Sequence, residues 1–125
     1  MRLLLDTHVL LWWLGNERTL SKEASRAISN STNMVFVSAA TAWEISIKKA
    51  LGKLHAPNDL EDALDASGFH SLPITVSHAL LAGQLPSHHT DPFDRLLVAQ
   101  SKIEELTLVT RDSKQILYAV QTLIA

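Results

Sequence analysis

The chain of 125 residues contains no cysteine. Disulfides, a thiol nucleophile and cysteine-ligated zinc are therefore excluded, and the composition fits a reducing cytosol. The chain also lacks an excess of either charge, because its formal net charge is only −2. Long-range attraction to a polyanion is not expected, so net charge neither supports nor excludes a nucleic-acid partner.

Long hydrophobic runs are absent as well. The apolar N-terminal stretch from Met1 to Leu14 is interrupted by Asp6 and His8, and a bilayer span requires about 20 apolar residues. No small-residue cleavage site follows this stretch. It predicts a buried strand and helix in a cytoplasmic protein without a membrane partner. A chain of this length is expected to form one domain, residues 1–125, that buries roughly two thirds of its unfolded surface.

Short apolar segments alternate with amphipathic segments along the chain. Pro73 confines the third apolar segment to a sheet edge or shortens it. The predicted strands cover residues 2–5, 34–37, 69–74, 107–110 and 120–124. The predicted helices cover residues 7–14, 21–29, 39–51, 58–68, 75–84 and 92–105, with a short helix starting at Asp112. This alternation predicts an α/β fold with a mainly parallel central sheet of about 4–5 strands flanked by helices.

Four carboxylates stand where predicted strands end or helices begin: Asp6, Glu44, Asp94 and Asp112. The carboxyl ends of parallel strands meet at one edge of a sheet, where ligands bind. Carboxylates brought together there repel by roughly 1 to 4 kcal/mol per close pair. Mg²⁺ or Mn²⁺ is the usual counter-ion for an all-oxygen cluster, which indicates phosphate chemistry.

Each acid also has a structural interpretation. Asp6 and Asp112 suit helix N-caps, and Asp91 before Pro92 is sufficiently explained as one. Asp94 lies in the first turn of a helix, where negative charge suits the helix dipole. These alternatives remain open for the individual residues.

Glu44 stands out because it interrupts an apolar pattern. Helical spacing places it on one face with Ala40, Ile47 and Leu51, which predicts a buried carboxylate. The alternative is an i,i+4 pair with Lys48, worth only about 0.2 to 0.5 kcal/mol. The pair does not explain the apolar neighbours, so a functional role is favoured.

The histidines and tryptophans are less informative. His88 and His89 adjoin Asp91, but adjacent residues rarely ligate one ion and no set of tetrahedral zinc ligands is present. A solvated or substrate-contacting role is predicted for this pair. The other histidines (His8, His55, His70 and His78) are interpreted as structural, and the tryptophans (Trp12, Trp13 and Trp43) as core or interface residues.

Four motifs resemble those of PIN-domain ribonucleases, in particular the VapC-like toxins of toxin–antitoxin pairs. They are Leu3-Leu4-Leu5-Asp6-Thr7, Ser38-x-x-Thr41-x-x-Glu44, the segment from Asp91 to Gln100, and Leu108-Val109-Thr110-Arg111-Asp112. They span the whole chain in order. The resemblance implies that Asp6, Glu44, Asp94 and Asp112 form a catalytic, metal-binding quartet with Mg²⁺ or Mn²⁺. It also implies RNA cleavage, a homodimer, and inhibition by a small cognate antitoxin protein. Thr110 and Asp91 are secondary candidates.

The resulting hypothesis is metal-assisted hydrolysis of an RNA phosphodiester by one or two cations, about 3.5 to 4 Å apart if two. Candidates to position phosphates are Arg95, Arg111, Lys48 and Lys49, with surface solvation as the alternative. An aspartyl phosphatase is disfavoured because it generally needs a second Asp where His8 stands. A non-catalytic PIN-fold module that binds RNA or protein remains the alternative, but such a module would be expected to lack part of the quartet.

Overall fold

Five parallel strands form one sheet in the order β3-β2-β1-β4-β5 in the computed structural model, which describes residues 1–125. The strands are β1 (Arg2–Leu5), β2 (Met34–Ser38), β3 (His70–Leu72), β4 (Thr107–Thr110) and β5 (Thr122–Ile124). The helices are α1 (Thr7–Gly15), α2 (Lys22–Ser29), α3 (Ala39–Ala50), α4 (Leu60–Ala66), α5 (Val76–Gln84), α6 (Pro92–Ile103) and α7 (Ser113–Ile116). The predicted α/β architecture with a parallel sheet is confirmed.

The sheet separates two hydrophobic clusters. Leu3 and Leu5 face one cluster, which contains residues of α1 and α2. Leu4 faces the other, which contains residues of α6. Strand side chains alternate between the two faces of a sheet, and a parallel sheet is usually covered on both. Three consecutive leucines therefore suit the central strand, where all are fully buried.

The predicted element boundaries differ from the structure mainly at the edges. The third and fifth strands are shorter than predicted, and α4 starts at Leu60 and ends at Ala66. The edge position predicted for β3 from Pro73 is confirmed. No helix combines the length and the apolar character needed to cross a membrane.

The prediction of a continuous apolar face on α3 is wrong for the second half of the helix. Ile47 is 37% exposed and Leu51, just after the helix, is 63% exposed, whereas Glu44 is only 3% exposed. The buried residues of α3 are Ala40, Thr41, Glu44 and Ile45. The second half of α3 thus extends beyond the core, and the burial of Glu44 depends on the first half alone.

The carboxyl ends of three strands, β1, β2 and β4, lie at the same edge of the sheet. The backbone N–H of Asp6 donates to the carbonyl of Val109 (3.0 Å), which continues the β1–β4 pairing past the end of β1. Ser38 ends β2 and caps α3, since its hydroxyl accepts from the N–H of Ala40 (3.0 Å). The residues that follow β1, β2 and β4 therefore meet at the carboxyl end of the sheet.

Candidate metal centre

Asp6 is buried at the centre of this edge, with 4% of its surface exposed. One carboxylate oxygen caps α1 by accepting the N–H of His8 (2.9 Å). The other is 2.7 Å from the Thr110 hydroxyl, which donates to it. The cap role and a role in the cluster are therefore compatible, because they use different oxygens of Asp6.

Glu44 enters the same edge from α3. Its Oε1 accepts a hydrogen bond from Thr7 (2.7 Å), and its Oε2 lies 2.6 Å from Nζ of Lys48. The hydrogen bond with Glu44 raises the pKa of Lys48, so the ammonium remains charged beside the carboxylate. The i,i+4 pair considered above is thus present, although the surroundings of Glu44 are buried.

Asp94 is the carboxyl group of the site whose pKa is strongly raised. Burial, followed by the negative charges of Asp6 and Asp91, raises its pKa to about 7. Glu44 acts in the same direction, whereas His89 opposes the shift. Asp94 lies in the first turn of α6 behind Asp91, which caps the helix by accepting from Phe93 and Asp94 N–H groups. The cap confirms the structural interpretation of Asp91.

Asp112 lies at the outer side of the cluster, with 31% of its side chain exposed. Its Oδ1 caps the short helix α7 by accepting the N–H of Lys114 (2.8 Å), and its Oδ2 is 2.9 Å from Nε2 of His89. Burial alone would raise its pKa, but the hydrogen bonds with His89 and with the Lys114 backbone outweigh it and lower the pKa. Asp112 therefore stays ionised more readily than Asp94.

His89 is a site residue that the sequence prediction missed. It is 9% exposed, so the solvated alternative is wrong for His89, whereas the substrate-contacting alternative stays a prediction. Its Nε2 lies 2.9 Å from Oδ2 of Asp94 and 2.9 Å from Oδ2 of Asp112. In the sequence, only its position just before the N-cap of α6 points to His89. The neighbouring His88, which is exposed, shares that position, so the sequence does not tell the two apart.

Arg95 holds the loop that carries His89. Its guanidinium donates to backbone carbonyls of Ala82 (2.7 Å), Leu85 (3.0 Å) and His89 (3.0 Å). Tyr118 supports the same loop, because its hydroxyl donates to Pro86 and accepts the N–H of His89. These contacts do not support phosphate positioning by Arg95, since its donors are already used by backbone carbonyls.

The other basic candidates differ in where they lie. Lys49 contacts the carbonyl of Pro57 (3.1 Å) and Asn58 (2.7 Å), which does not bring it to the carboxylates. Arg111 lines a cavity of about 290 Å³ together with Asp6, His8, Trp12 and Asp112. Its Nε and Nη2 donate to the carbonyls of Ala125 and Thr19, but its Nη1, unlike that of Arg95, has no protein acceptor. Lys48 contacts the cluster directly. Lys48 and Arg111 are the two of the four candidates that the structure brings near the acids.

The chemistry of this donor set suits a hard divalent cation. Carboxylates supply the negative charge, the Thr110 hydroxyl supports Asp6, and no sulfur ligand is present. Such oxygen-rich sites favour Mg²⁺ or Mn²⁺. The environment of Asp94 also suits a cation, because a bound cation would offset the repulsion that raises the pKa of Asp94.

Comparisons with known proteins agree with this fold. Residues 3–121 match the PIN domain family. Ribonuclease VapC22 from Mycobacterium tuberculosis is 32% identical over 114 residues, which cover 89% of this chain and 87% of that protein. The likeness therefore extends over nearly the full length of both proteins.

Two solved structures share the architecture. The crystal structure of VapBC2 from Rickettsia felis bound to a promoter DNA fragment matches with a TM-score of 0.72 at 15% identity, covering 99% of this chain and 98% of that chain. A toxin–antitoxin complex from Klebsiella pneumoniae matches with a TM-score of 0.64 at 19% identity, covering 96% and 94%. The resemblance seen in the four motifs is confirmed, and this chain belongs to the PIN-domain family.

Proposed function

We propose that this chain is a divalent-metal-dependent ribonuclease that hydrolyses RNA phosphodiester bonds and serves as the toxin of a toxin–antitoxin pair. The observation that carries the proposal is the group of carboxylates at the carboxyl end of the sheet, where burial and the charges of Asp6 and Asp91 raise the pKa of Asp94 to about 7. Likeness to Ribonuclease VapC22 supports the choice of RNA as substrate. The intact set of acids favours an enzyme over a non-catalytic PIN-fold module that binds RNA or protein.

In this proposal Asp6, Glu44, Asp94 and Asp112 hold Mg²⁺ or Mn²⁺, with Thr110 and Asp91 in supporting roles. The bound cation supplies Lewis-acid stabilisation of charge on phosphate oxygens and lowers the pKa of water. Thr110 orients Asp6 through its hydroxyl. Asp91 supports Asp94 from the cap of α6.

The chain's own cations provide the phosphate contacts. Lys48 is 36% exposed at its side chain while its ammonium touches Glu44, so it can approach an incoming phosphate at the edge of the cluster. Arg111 borders the adjoining cavity, where its guanidinium lies 4.5 Å from the ring centroid of Trp12. Both are placed to offset phosphate charge near the carboxylates.

Metal removal tests this function. Purified protein is expected to cleave single-stranded RNA with Mg²⁺ or Mn²⁺, to lose cleavage in EDTA, and to regain it when the metal is restored, because the acids alone repel phosphate. Fragment analysis on gels measures the products. A single-stranded DNA of the same sequence is the matched substrate control. Cleavage that persists in EDTA would overturn the metal dependence, and preferential cutting of DNA would overturn the substrate assignment.

The proposed partners are a second copy of the chain and a small cognate antitoxin, both in the cytoplasm. Likeness to a toxin–antitoxin complex supports the antitoxin. Large apolar side chains are exposed at Trp43 (59%), Val76 (76%) and Leu80 (62%), which suits protein contacts. Of the tryptophans interpreted as core or interface residues, Trp12 and Trp13 are partly buried against the core.

Growth tests the partners. Expression of the chain alone is expected to arrest bacterial growth, because RNA cleavage would stop protein synthesis. Co-expression of the protein encoded next to it is expected to restore growth. Colony counts after induction measure both effects, and light scattering of the purified chain reports the dimer. Normal growth despite RNA cleavage in vitro would contradict the toxin assignment and leave the nuclease assignment intact.

A further inference from the structure

His89 is held at every polar atom that it has. Its backbone N–H donates to Tyr118 (2.9 Å), and its carbonyl accepts from Arg95 (3.0 Å). Its ring Nδ1 accepts the N–H of Asp91 (3.1 Å), and its Nε2 lies between Asp94 and Asp112. A loop residue fixed at four points, two on the backbone and two on the ring, is unusual, since loops are commonly more mobile than the elements they connect.

The contact with Asp91 assigns the proton on the ring. Nδ1 is an acceptor for the Asp91 N–H, so it carries no proton. We therefore assign the proton of the neutral imidazole to Nε2, which becomes a donor to Asp112. The hydrogen bond from Nε2 is with Oδ2 of Asp112, and Oδ2 of Asp94 lies equally near at 2.9 Å.

This tautomer decides between two roles for His89. His89, Asp94 and Asp112 could together hold a metal ion, because one ligand atom of each lies within 4.8 Å of the others. A nitrogen that carries a proton has no free electron pair to bind a metal. A carboxylate oxygen, however, can accept an N–H and still present another lone pair to a cation.

We infer that His89 is a positioning residue for the proposed metal centre, where its Nε2–H orients the carboxylates of Asp94 and Asp112 without binding the ion itself. The inference rests on the proposed metal dependence. Arg95 and Tyr118 hold the backbone of the loop, and Asp91 fixes the tautomer of the His89 ring. The ring then holds the side chains of two acids that come from different parts of the chain. Partners of this kind typically affect metal affinity by about 10- to 100-fold when they are removed.

Two amide substitutions separate the functions of the two ring nitrogens. In His89→Asn the amide can replace the acceptor Nδ1 toward Asp91 but is too short to reach the carboxylates. In His89→Gln the longer amide can place an N–H donor near the position of Nε2. The exposed neighbour His88→Ala is the matched control in the same loop.

Calorimetric titration of the metal-free proteins with Mg²⁺ and with Mn²⁺ gives the decisive measurement. His89→Asn is expected to bind both ions about tenfold or more weakly than wild type. His89→Gln and His88→Ala are expected to remain within about threefold, which is small beside the loss expected on removing a supporting partner. Circular dichroism melts in EDTA identify any variant that fails to fold, and His89→Gln still tests the tautomer argument if His89→Asn does not fold.

Each other outcome overturns the inference. Wild-type affinity in His89→Asn would show that Nε2 is dispensable. A loss in His89→Gln of Mn²⁺ binding but not of Mg²⁺ binding would identify His89 as a nitrogen ligand, since nitrogen ligands favour Mn²⁺ over Mg²⁺. An equal loss in His88→Ala would assign the effect to the loop. Absence of metal binding in wild type would instead remove the proposed metal dependence, so the two failures are distinguishable.

Discussion

Asp94→Asn is expected to be more stable than wild type in EDTA at about pH 8. Burial and the charges of Asp6 and Asp91 raise the pKa of Asp94 from 3.8 to about 7. A shift of this size corresponds to roughly 4 kcal/mol of lost stability when the folded protein must ionise the group. Solvent screening reduces this to a few kcal/mol, so we expect the melting temperature to rise by about 5 to 10 °C.

The pH dependence of this effect has a definite direction. Between about pH 4 and pH 7 the folded protein keeps the Asp94 proton that the unfolded chain releases. The contribution of Asp94 is therefore fully present below about pH 4 and is lost as pH rises through about 7. Wild type in EDTA is expected to lose stability across this window, whereas Asp94→Asn is expected to lose less.

Thermal melts from acid to alkaline pH, with and without Mg²⁺, measure both effects. Asp65→Asn is the matched control, because Asp65 is an exposed acid on α4. Wild type should gain more from added Mg²⁺ than Asp94→Asn, since the ion stabilises the folded state by binding it. A melting temperature in EDTA below wild type would assign Asp94 to the stability of α6 instead of the cluster.

Asp6→Asn is expected to reduce RNA cleavage by about 100-fold or more, even at saturating metal, because it removes a central charge from the proposed metal centre. Asparagine keeps an oxygen that can accept the His8 N–H, so α1 should retain its cap. The loss should therefore appear in kcat/KM rather than in the melting temperature. Growth arrest is expected to disappear in the same variant.

The Asp6 variant also tests the coupling within the cluster. Asp6 is the leading charge that raises the pKa of Asp94, so its neutralisation should lower that pKa. The stability loss of the metal-free protein should then still begin near pH 4, but it should end at a lower pH and be smaller than in wild type. Wild-type cleavage by Asp6→Asn would contradict the catalytic assignment, and Asp65→Asn serves again as the control.

Local sequence patterns predicted much of the sheet edge. The apolar run before Asp6 and the run before Asp112 carry their own strand signals, and the structure places β1 beside β4. The helix caps were equally local, because an N-cap contacts N–H groups only two or three residues ahead. Asp6, Asp91 and Asp112 accept such hydrogen bonds. Residues whose environment is set by neighbours in sequence were therefore predictable.

The position of His89 could not be derived in this way. Its backbone N–H is held by Tyr118, which lies 29 residues away, and its Nε2 contacts Asp112, 23 residues away. The exposure of Leu51 has a similar origin, since helical spacing gives the face of a residue but not how far the core extends along the helix. Tertiary packing determines the position of His89 and the exposure of Leu51. It also places the Arg95 guanidinium against backbone carbonyls of the loop.

The strand order has a consequence for protein synthesis. The central strand β1 is synthesised before the other four strands of the sheet, yet Thr110 reaches Asp6 across 104 residues of chain. Contacts of such long sequence separation form late, because the intervening chain must be ordered first. A nascent chain thus carries Asp6 and Glu44 long before β4 arrives to complete the cluster. The carboxylate cluster is therefore completed only after β4 has been synthesised, and the proposed metal centre cannot form before that point.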